Sequence, residues 1–393
     1  MKIRNWKIVL AILCLNVIMM ASGYNMLIPF LPMYLLNELG VSGDNIGIWT
    51  GAVFSVTFLV GGIMAPVWGK LADNIGKKPM ALRSGIMLSL SYYAMGMVTS
   101  PEQLFLVRMF QGFAAGLISV FMAMCSASVP AGKIGVSMGL FQSSLTAGTV
   151  IGPLMGGILA TYIDMRTSFY VAGTLLLVLT VVTWLFLPEP SSGKKADKKD
   201  DEVSILKRPE LREVLIYMFL LWFVILIIQP VMTLYVAQLN HSNDNAMLLS
   251  GGIFSMIGIA GGIIAPWWGR YGQSRGFYKT LGIGLVLGSV ASFFNSVPET
   301  VLGYAIANIV FSLVFGGVLP SLSSIIARKT ATNERGRAYA YSFSAQQFGS
   351  MLGPLAGGLY TTFMPINTVY YISAFILFVL GICVIKRHKG SWN

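Results

Sequence analysis

Charged side chains are scarce in this sequence, and they avoid its long hydrophobic runs. Asp, Glu, Lys and Arg make up 11% of the 393 residues, 55% are hydrophobic, and the mean hydropathy is +0.72. A soluble domain needs about 25% charged residues to cover its surface. Apolar stretches of about 20 residues, enough for one helical crossing of a bilayer, recur from end to end. The composition therefore excludes a soluble globular protein and predicts a multi-pass membrane protein.

Cysteine and histidine are also rare, with three and two residues respectively. Cys14, Cys125 and Cys383 lie in apolar stretches without metal-ligand spacing and are too few for a disulfide framework, so we interpret them as core residues. No nucleotide-binding loop, metal cluster or catalytic triad is recognisable. We therefore expect neither an enzyme nor a bound cofactor or metal. The net charge of +12 is spread between the apolar runs, which argues against nucleic acid as a partner.

The hydrophobic runs predict an all-α membrane protein with twelve transmembrane helices, numbered here as segments 1 to 12. The runs are continuous rather than alternating, which favours helices over a barrel. The first run lacks a cleavage pattern, so we expect a helix and not a removable signal peptide. The segments are residues 8–35, 46–69, 80–99, 103–127, 134–161, 167–188, 213–238, 247–269, 280–296, 300–327, 338–362 and 368–385.

The distribution of Lys and Arg predicts the orientation in the membrane. All but two of the 27 Lys and Arg residues lie in the N-terminus, the even-to-odd loops, the central polar stretch and the tail. Because cytoplasmic loops are enriched in these residues, both termini are predicted to be cytoplasmic. We expect a six-helix bundle at 1–188, a mobile cytoplasmic linker at 189–212 and a second six-helix bundle at 213–393.

Two internal echoes indicate that these bundles are related. Residues 61–69 (GGIMAPVWG) and 261–269 (GGIIAPWWG) agree at seven of nine positions, and the pattern GPxxGG occurs at 152–157 and at 353–358. Repeated halves around a midplane site suit transport by alternating access, because one half can rock against the other.

The first half carries three motifs that suggest gating and coupling. Their residues are Gly69, Asp73, Gly76, Lys77 and Lys78 between segments 2 and 3; Arg108, Gln111 and Gly112 in segment 4; and Gly139, Gly148, Gly152, Pro153, Gly156 and Gly157 in segment 5. In the first motif, the glycines allow a tight turn and the lysines can anchor to lipid phosphates. Asp73 can accept hydrogen bonds from the N-terminus of segment 11 near Ala338–Tyr341, which would hold a cytoplasmic gate shut.

The second and third motifs concern the interior of the first half. A charge in a lipid-spanning helix normally faces a polar interior, and the shared face of Arg108, Gln111 and Gly112 favours that placement over snorkelling to the surface. The glycines of segment 5 allow another backbone to approach, and Pro153 permits a bend. We expect glycine-rich segment 8 as the partner. In the second half Asn308 replaces Arg108 and Ala340 replaces Gly139.

These motifs resemble the signature, the R-x-x-Q-G element and the antiporter motif of the major facilitator superfamily. With the sequences at 28–41 and 49–59, the chain looks like the MdtG-type multidrug efflux branch of the twelve-helix drug:proton antiporter family. The resemblance implies a major facilitator fold in the cell (inner or plasma) membrane, monomeric, with protons and small hydrophobic or amphipathic compounds as partners. Expected cavity residues are Asn25, Phe54, Phe58, Gln142, Trp222, Gln229, Tyr235, Met256, Phe315 and Gln346.

One absence sets this chain apart from many drug:proton antiporters. All 15 Asp and Glu residues can be assigned outside the membrane core, so no membrane carboxylate is available to titrate or to attract a cation. Arg108 hardly titrates; it could act on a carboxylate at a helix end or recognise an anionic substrate directly. Cation–π attraction could still hold a cationic drug.

The sequence thus predicts a proton-coupled exporter of diverse hydrophobic or amphipathic drugs, with antibiotic resistance as the associated trait and the proton gradient in place of a cofactor. Two alternatives stay open. One is a dedicated exporter of a specific metabolite, sugar or glycolipid, without obligatory proton coupling. The other is a receptor or scaffold with a transporter fold, which would not need the gating motifs.

Overall fold

The computed structural model describes residues 5–130, 133–189, 208–242, 245–330 and 335–388, and these ranges are helical without a β-strand. The helices are α1 (Trp6–Asn37), α2 (Ile46–Ile75), α3 (Lys77–Met97), α4 (Pro101–Ala114), α5 (Leu117–Ser128), α6 (Ile134–Tyr162), α7 (Met165–Phe186), α8 (Pro209–Ile228), α9 (Met232–Leu239), α10 (Ala246–Arg275), α11 (Phe277–Phe294), α12 (Val301–Phe315), α13 (Val318–Lys329), α14 (Arg335–Phe363) and α15 (Val369–His388). Short 3₁₀ turns at Gly43–Asn45 and Ile366–Thr368 precede α2 and α15.

The helices match the predicted segments, and the all-α membrane fold is confirmed. Within the described ranges, nine spans are long and apolar enough to cross a membrane. Segments 3, 4 and 11 are helical but fall outside that set. In α3 the polar residues face the bundle: the Ser89 hydroxyl donates to the Gly173 carbonyl of α7 over 2.7 Å. Twelve crossings are consistent with this arrangement.

Three segments predicted as continuous helices are interrupted instead. Segment 4 forms α4 and α5, segment 7 forms α8 and α9, and segment 10 forms α12 and α13. Gly116, between α4 and α5, has a φ of +112° that other residues rarely adopt. Pro230 follows α8 and lacks the N–H that would continue the helix. Gly316 and Gly317 separate α12 from α13. Local residue chemistry therefore accounts for each break.

The helices group into two compact units. The described residues within Met1–Val41, Val56–Lys198 and Ser250–Ser255 form unit 1, and those within Ser42–Ser55, Lys199–Leu249 and Met256–Asn393 form unit 2. Within unit 1, α1 packs along α6 and α3 packs along α7. Within unit 2, α8 packs along α14 and α11 packs along α15. These pairs occupy corresponding positions in the two sequence repeats, so the same packing scheme is used twice.

Glycines make the main helix contact of unit 1. Those of α6 that face α1 are Gly148, Gly152 and Gly156. A Cβ on Gly152 would lie 2.5 Å from the Ser22 carbonyl oxygen, well inside van der Waals contact. The other two glycines meet the α1 backbone as closely, at Ile18 and Met26. Only glycine permits this approach of two backbones.

Unit 2 repeats this contact between α14 and α8. The glycines are Gly349, Gly353 and Gly357, and they meet the backbone of α8 at Phe219, Phe223 and Ile227. Both halves therefore use three glycines, spaced four residues apart, to pack two helices closely together. In each half these glycines pack against the first helix of the repeat. This corrects the expectation that segment 8 is the partner of the glycines in segment 5.

The contact of α6 with segment 8, now α10, is smaller than expected. A Cβ on Gly251 of α10 would collide with the Pro153 carbonyl and lie 3.5 Å from Gly157. The Ser255 hydroxyl of α10 donates to the Val150 carbonyl over 2.5 Å. Gly139 has no neighbour within 4 Å of its added Cβ. A side chain at position 139 would therefore meet open space.

We expect Gly152→Ala to lower the free energy of unfolding by about 1–3 kcal/mol, because its Cβ must displace the α1 backbone. Gly353→Ala in unit 2 should cost a similar amount. Gly139→Ala is the matched control and should be neutral or stabilising by up to about 1 kcal/mol, as at an exposed helical glycine. Thermal unfolding of the purified variants in detergent measures these effects, and equal loss in all three would contradict the packing assignment.

Candidate functional site

The centre of the candidate site is Arg108, which lies in the middle of α4. This helix begins at Pro101, and the Ser100 hydroxyl caps it by accepting the Gln103 N–H over 3.3 Å. The Arg108 side chain is 1% exposed. A guanidinium that is this deeply buried does not reach the outer surface, so it does not snorkel there.

Arg108 is surrounded by uncharged polar groups of unit 1. Its Nη1 donates to the side-chain oxygen of Gln111, one helical turn further along α4. Tyr24 of α1 and Tyr92 of α3 lie within range of its charge. Three helices therefore contribute to one polar cluster in an otherwise apolar bundle. Because burying an ion is costly, these dipoles are needed to hold the charge.

Gly112 brings α2 against α4 beside this cluster. A Cβ on Gly112 would lie 2.6 Å from the Thr57 carbonyl oxygen. At this crossing the Thr57 hydroxyl donates to the Arg108 backbone carbonyl over 3.1 Å. The R-x-x-Q-G spacing thus places the charge, its amide partner and the helix contact on one face of α4.

The break after α4 is closed by side chains from two neighbouring helices. The indole Nε1 of Trp68 donates to the Phe113 carbonyl over 2.8 Å. Arg83 donates to the Ala115 carbonyl over 3.1 Å, and its guanidinium lies 3.6 Å from the centroid of the Trp68 ring. The tryptophan of the repeated GGxxAPxWG motif therefore replaces a hydrogen bond that the helix loses.

The signature between segments 2 and 3 forms a shorter turn than predicted. Helix α2 continues to Ile75 and α3 begins at Lys77, so the turn is Gly76 alone, with a φ of +110°. Gly69 lies inside α2 and has no neighbour within 4 Å of an added Cβ. The side chain of Asp73 lies outside the described part of the structure, and its role as a latch stays a prediction.

The two lysines of the signature contact backbone carbonyls of the protein. Lys78 Nζ donates to the carbonyls of Trp184 and Leu187 at the end of α7, over 2.7 and 2.5 Å. Lys77 Nζ lies 3.5 Å from the Ala123 carbonyl of α5. The structure thus gives both side chains protein partners, and their anchoring to phosphates stays a prediction.

Glu189 completes this junction from the opposite direction. Its two carboxylate oxygens accept the backbone N–H groups of Lys77 and Lys78 over 2.8 and 2.9 Å, which caps the N-terminus of α3. Glu189 was predicted to start a mobile linker, but it is fixed in place. Of the other predicted linker residues, 190–207 lie outside the described ranges, whereas 209–212 form the first turn of α8, so the prediction of a linker up to residue 212 is wrong at this end. We refer to the paired caps of Glu189 and Lys78 as the α3–α7 junction.

The predicted cavity residues do not form one described cluster. In unit 1, Phe58 is half-buried with its ring edge-on to Tyr24 at 6.3 Å between centroids. Asn25 is half-buried, but its amide donates to the Ala21 carbonyl of its own helix over 2.7 Å. Gln142 is exposed. Among these three residues, Phe58 thus contacts the Arg108 cluster through the ring of Tyr24.

The residues assigned to unit 2 have varied surroundings. Tyr235 is 4% exposed and packs edge-on against Tyr304 at 5.0 Å, so it belongs to the core. Phe315 is also buried and stacks on Phe311. Met256 is 48% exposed. The others are buried Phe54 and half-buried Trp222, Gln229 and Gln346. Their role in substrate binding stays a prediction.

Three polar residues that the structure places in buried or half-buried positions were not predicted from the sequence. Tyr24 and Tyr92 join the Arg108 cluster, but tyrosines in apolar runs occur throughout the chain and gave no signal. Glu213, assigned to the cytoplasmic side, is 8% exposed within the first turns of α8. It accepts the Tyr217 hydroxyl and lies 3.2 Å from both Arg387 and His388 of α15.

Comparisons with known proteins agree with this architecture. The sequence profile of the Major Facilitator Superfamily matches residues 13–340 and 261–391. The chain is 32% identical over 386 residues to the uncharacterized MFS-type transporter YuxJ of Bacillus subtilis, covering 95% of this chain and 97% of YuxJ. It is 30% identical to a homolog of the multi-drug resistance efflux pump PmrA in Lactococcus lactis, with 90% and 88% of the chains covered. It is 29% identical to the multidrug resistance protein MdtG of Salmonella arizonae, covering 99% and 96%.

Solved structures with low sequence identity share the fold. The nucleoside transporter NupG superposes with a TM-score of 0.80 at 16% identity, covering 97% of this chain and 99% of NupG. A bacterial homolog of the human lysosomal transporter Spinster, in an inward-facing and occupied conformation, gives a TM-score of 0.83 at 12% identity, covering 98% and 97%. At these identities the likeness concerns the fold alone.

The α3–α7 junction can be tested by a double-mutant cycle on the purified protein. We expect Glu189→Ala to lower the free energy of unfolding by about 1 kcal/mol, because two N–H groups of α3 lose their acceptor. Lys78→Met should cost a similar amount. Both changes loosen the same turn, so their effects should fall short of additivity by about 0.5 kcal/mol or more. Glu299→Gln, at an exposed carboxylate between α11 and α12, is the control. Strict additivity would contradict a shared junction.

Proposed function

Since this chain is a member of the Major Facilitator Superfamily, and therefore a multi-pass secondary transporter of the cell membrane, we propose that it exports drug-like amphipathic compounds in exchange for protons. Two of the relatives described above are named for multidrug efflux and align over most of both chains. Such coverage supports a shared activity in addition to a shared fold.

The observation that carries the proposal is the buried Arg108 cluster. A structural protein gains no stability from an ion placed among uncharged partners, because the desolvation of the guanidinium is only partly repaid. A transporter can use such a charge, since it attracts a substrate or biases the protonation of a neighbouring group. The R-x-x-Q-G element that forms the cluster is linked to proton coupling in antiporters that it resembles.

Dye efflux from expressing cells tests the proposal. Cells carrying the protein should lose a fluorescent drug-like dye faster than cells with empty vector, and a protonophore should reduce this difference to background. Export that persists without a proton gradient would exclude antiport with protons. A complete lack of effect on dyes and drugs would favour a dedicated exporter of one metabolite, sugar or glycolipid.

Arg108→Ala should reduce the proton-dependent efflux at least about tenfold, because charge-assisted hydrogen bonds to the guanidinium are lost. Asn308→Ala, at the corresponding position of the second half, is the matched control and should retain most of the activity. The amount of each variant in the membrane fraction shows whether insertion is intact. Normal efflux by an inserted Arg108→Ala protein would remove the cluster from the mechanism.

A further inference from the structure

Arg83 is a second arginine within a helix of unit 1, and the export mechanism proposed above does not use it. It lies in α3, six residues after this helix begins at Lys77. Its guanidinium reaches the break between α4 and α5, where Nη2 donates to the Ala115 carbonyl over 3.1 Å. The same nitrogen donates to the Ser84 hydroxyl over 2.8 Å. The charge of Arg83 is therefore placed at the end of the helix that carries Arg108.

Trp68 of α2 holds this guanidinium on one side. The guanidinium carbon lies 3.6 Å from the centroid of the Trp68 ring, a close cation–π contact. The indole of the same residue donates to the Phe113 carbonyl over 2.8 Å. Two neighbouring helices thus bind two carbonyls of one break, Phe113 from α2 and Ala115 from α3. The C-terminal end of a helix carries a partial negative charge, which favours a cation such as Arg83 at this place.

The contacts of Arg83 are unusual for a residue that only adds stability. Its Nε and Nη1 are buried without a hydrogen-bond partner in the part of the chain that the structure describes. Buried donors without a partner cost free energy, and an uncharged side chain of similar length would avoid that cost. These contacts therefore favour a local role at the break over a general contribution to stability.

The break is joined to the Arg108 cluster through the last turn of α4. The Ala115 N–H donates to the Gly112 carbonyl over 3.2 Å. Gly112 directly follows Gln111, whose amide oxygen accepts from Arg108. The next residue, Gly116, has a φ of +112° and begins the new direction of the chain. A shift of the Ala115 carbonyl would therefore move the turn that carries the partner of Arg108.

The second half has the tryptophan of this arrangement at its own break between α12 and α13. Trp268 donates to a carbonyl there over 2.8 Å, the same distance as for Trp68. Ile283 stands at the position that corresponds to Arg83. Of these two breaks, only the one in segment 4 thus has an arginine at this position. The difference follows the other asymmetry of the halves, since segment 4 also carries Arg108.

We propose that Arg83 is a positioning residue for export, which fixes the break after α4 from its place on the ring of Trp68. Through the backbone of α4 it thereby holds Gln111 and Arg108 in place. This inference rests on the proposed export function and adds to it a residue that acts from a neighbouring helix. Without the guanidinium, α4 and α5 should pivot more freely about Gly116.

Hydrogen exchange of the full-length protein in nanodiscs tests whether Arg83 fixes the break. Arg83→Met keeps most of the side-chain volume and removes the charge and the donors. We expect the amides of Ala115 and Val120, on either side of the break, to exchange about tenfold faster or more. Arg270→Met, at an exposed arginine of α10, is the matched control and should leave these amides unchanged. Unchanged exchange at the break in Arg83→Met would overturn the inference, and so would equal acceleration throughout unit 1.

A transport assay separates positioning from folding. Per inserted protein, Arg83→Met should lower the maximal rate of dye efflux about fivefold or more. The dye concentration that gives half of this rate should stay within about twofold, because Arg83 acts on the helix and not on the substrate. Arg83→Lys keeps the charge and one donor but loses the planar stacking, so it should recover about half of the lost rate. A lysine variant no faster than the methionine variant would contradict the role of the charge.

Trp68→Phe covers the case in which Arg83→Met does not fold, because it removes only the indole N–H. Exchange at the break should rise about threefold or more. Combined with Arg83→Lys, the total acceleration should fall short of the product of the single effects by about twofold or more. Trp268→Phe, the same change in the second half, should leave exchange at this break unchanged. Independent effects of Trp68 and Arg83 would contradict a shared break.

Hydrogen exchange needs neither a proton gradient nor a substrate, so its result is separable from export. A wild-type protein that exports no dye, together with a break that Arg83→Met loosens, would refute the proposed function alone. Proton-driven efflux at the wild-type rate by an inserted Arg83→Met protein would refute this inference alone.

Discussion

In hydrocarbon, backbone carbonyl and N–H groups have no water to bind, so every helix end or break inside the membrane needs a partner from the protein. The structure satisfies this constraint with a small set of long side chains. Trp68 covers a carbonyl left free at the break between α4 and α5, and Trp268 makes the equivalent 2.8 Å bond to Leu313 in the second half. Lys78 does the same for the end of α7. Trp68 and Lys78 both belong to sequence motifs, and both replace hydrogen bonds that a helix loses where it breaks or ends.

The same constraint explains what the two halves share and where they differ. Both use a single glycine with positive φ, Gly76 or Gly276, to join the long second helix of the repeat to the next one. Position 78 contacts the end of α7 through a lysine, whereas Tyr278 stacks on His388 at the end of α15, with 3.8 Å between ring centroids. The location of the contact is retained although its chemistry changes. The asymmetry of the chain therefore lies in its charges and much less in its glycine packing.

Much of the fold could be predicted from the sequence because hydrophobic length and the internal repeat each have a direct physical cause. The breaks after α4, α8 and α12 were missed, since hydropathy is insensitive to the backbone angle at Gly116 or to the missing N–H of Pro230. The docking of Glu189 was also missed. Its neighbours in sequence are polar, and only the three-dimensional position of the α3 N-terminus gives it a partner.

The candidate site was predictable in part, and the reason lies in the cost of a buried charge. Because of that cost, Arg108 could be selected in segment 4 as a functional residue. Gln111 could be selected because it lies one helical turn away on the same face. Tyr24 and Tyr92 come from other helices, and no local pattern connects them to Arg108. Both tyrosines add neutral polar groups around the buried guanidinium. A glutamate at position 111 would neutralise the arginine inside the protein, whereas glutamine orients the guanidinium and leaves its charge in place. The choice of an amide at this position thus holds the guanidinium in a defined direction without placing a carboxylate beside it.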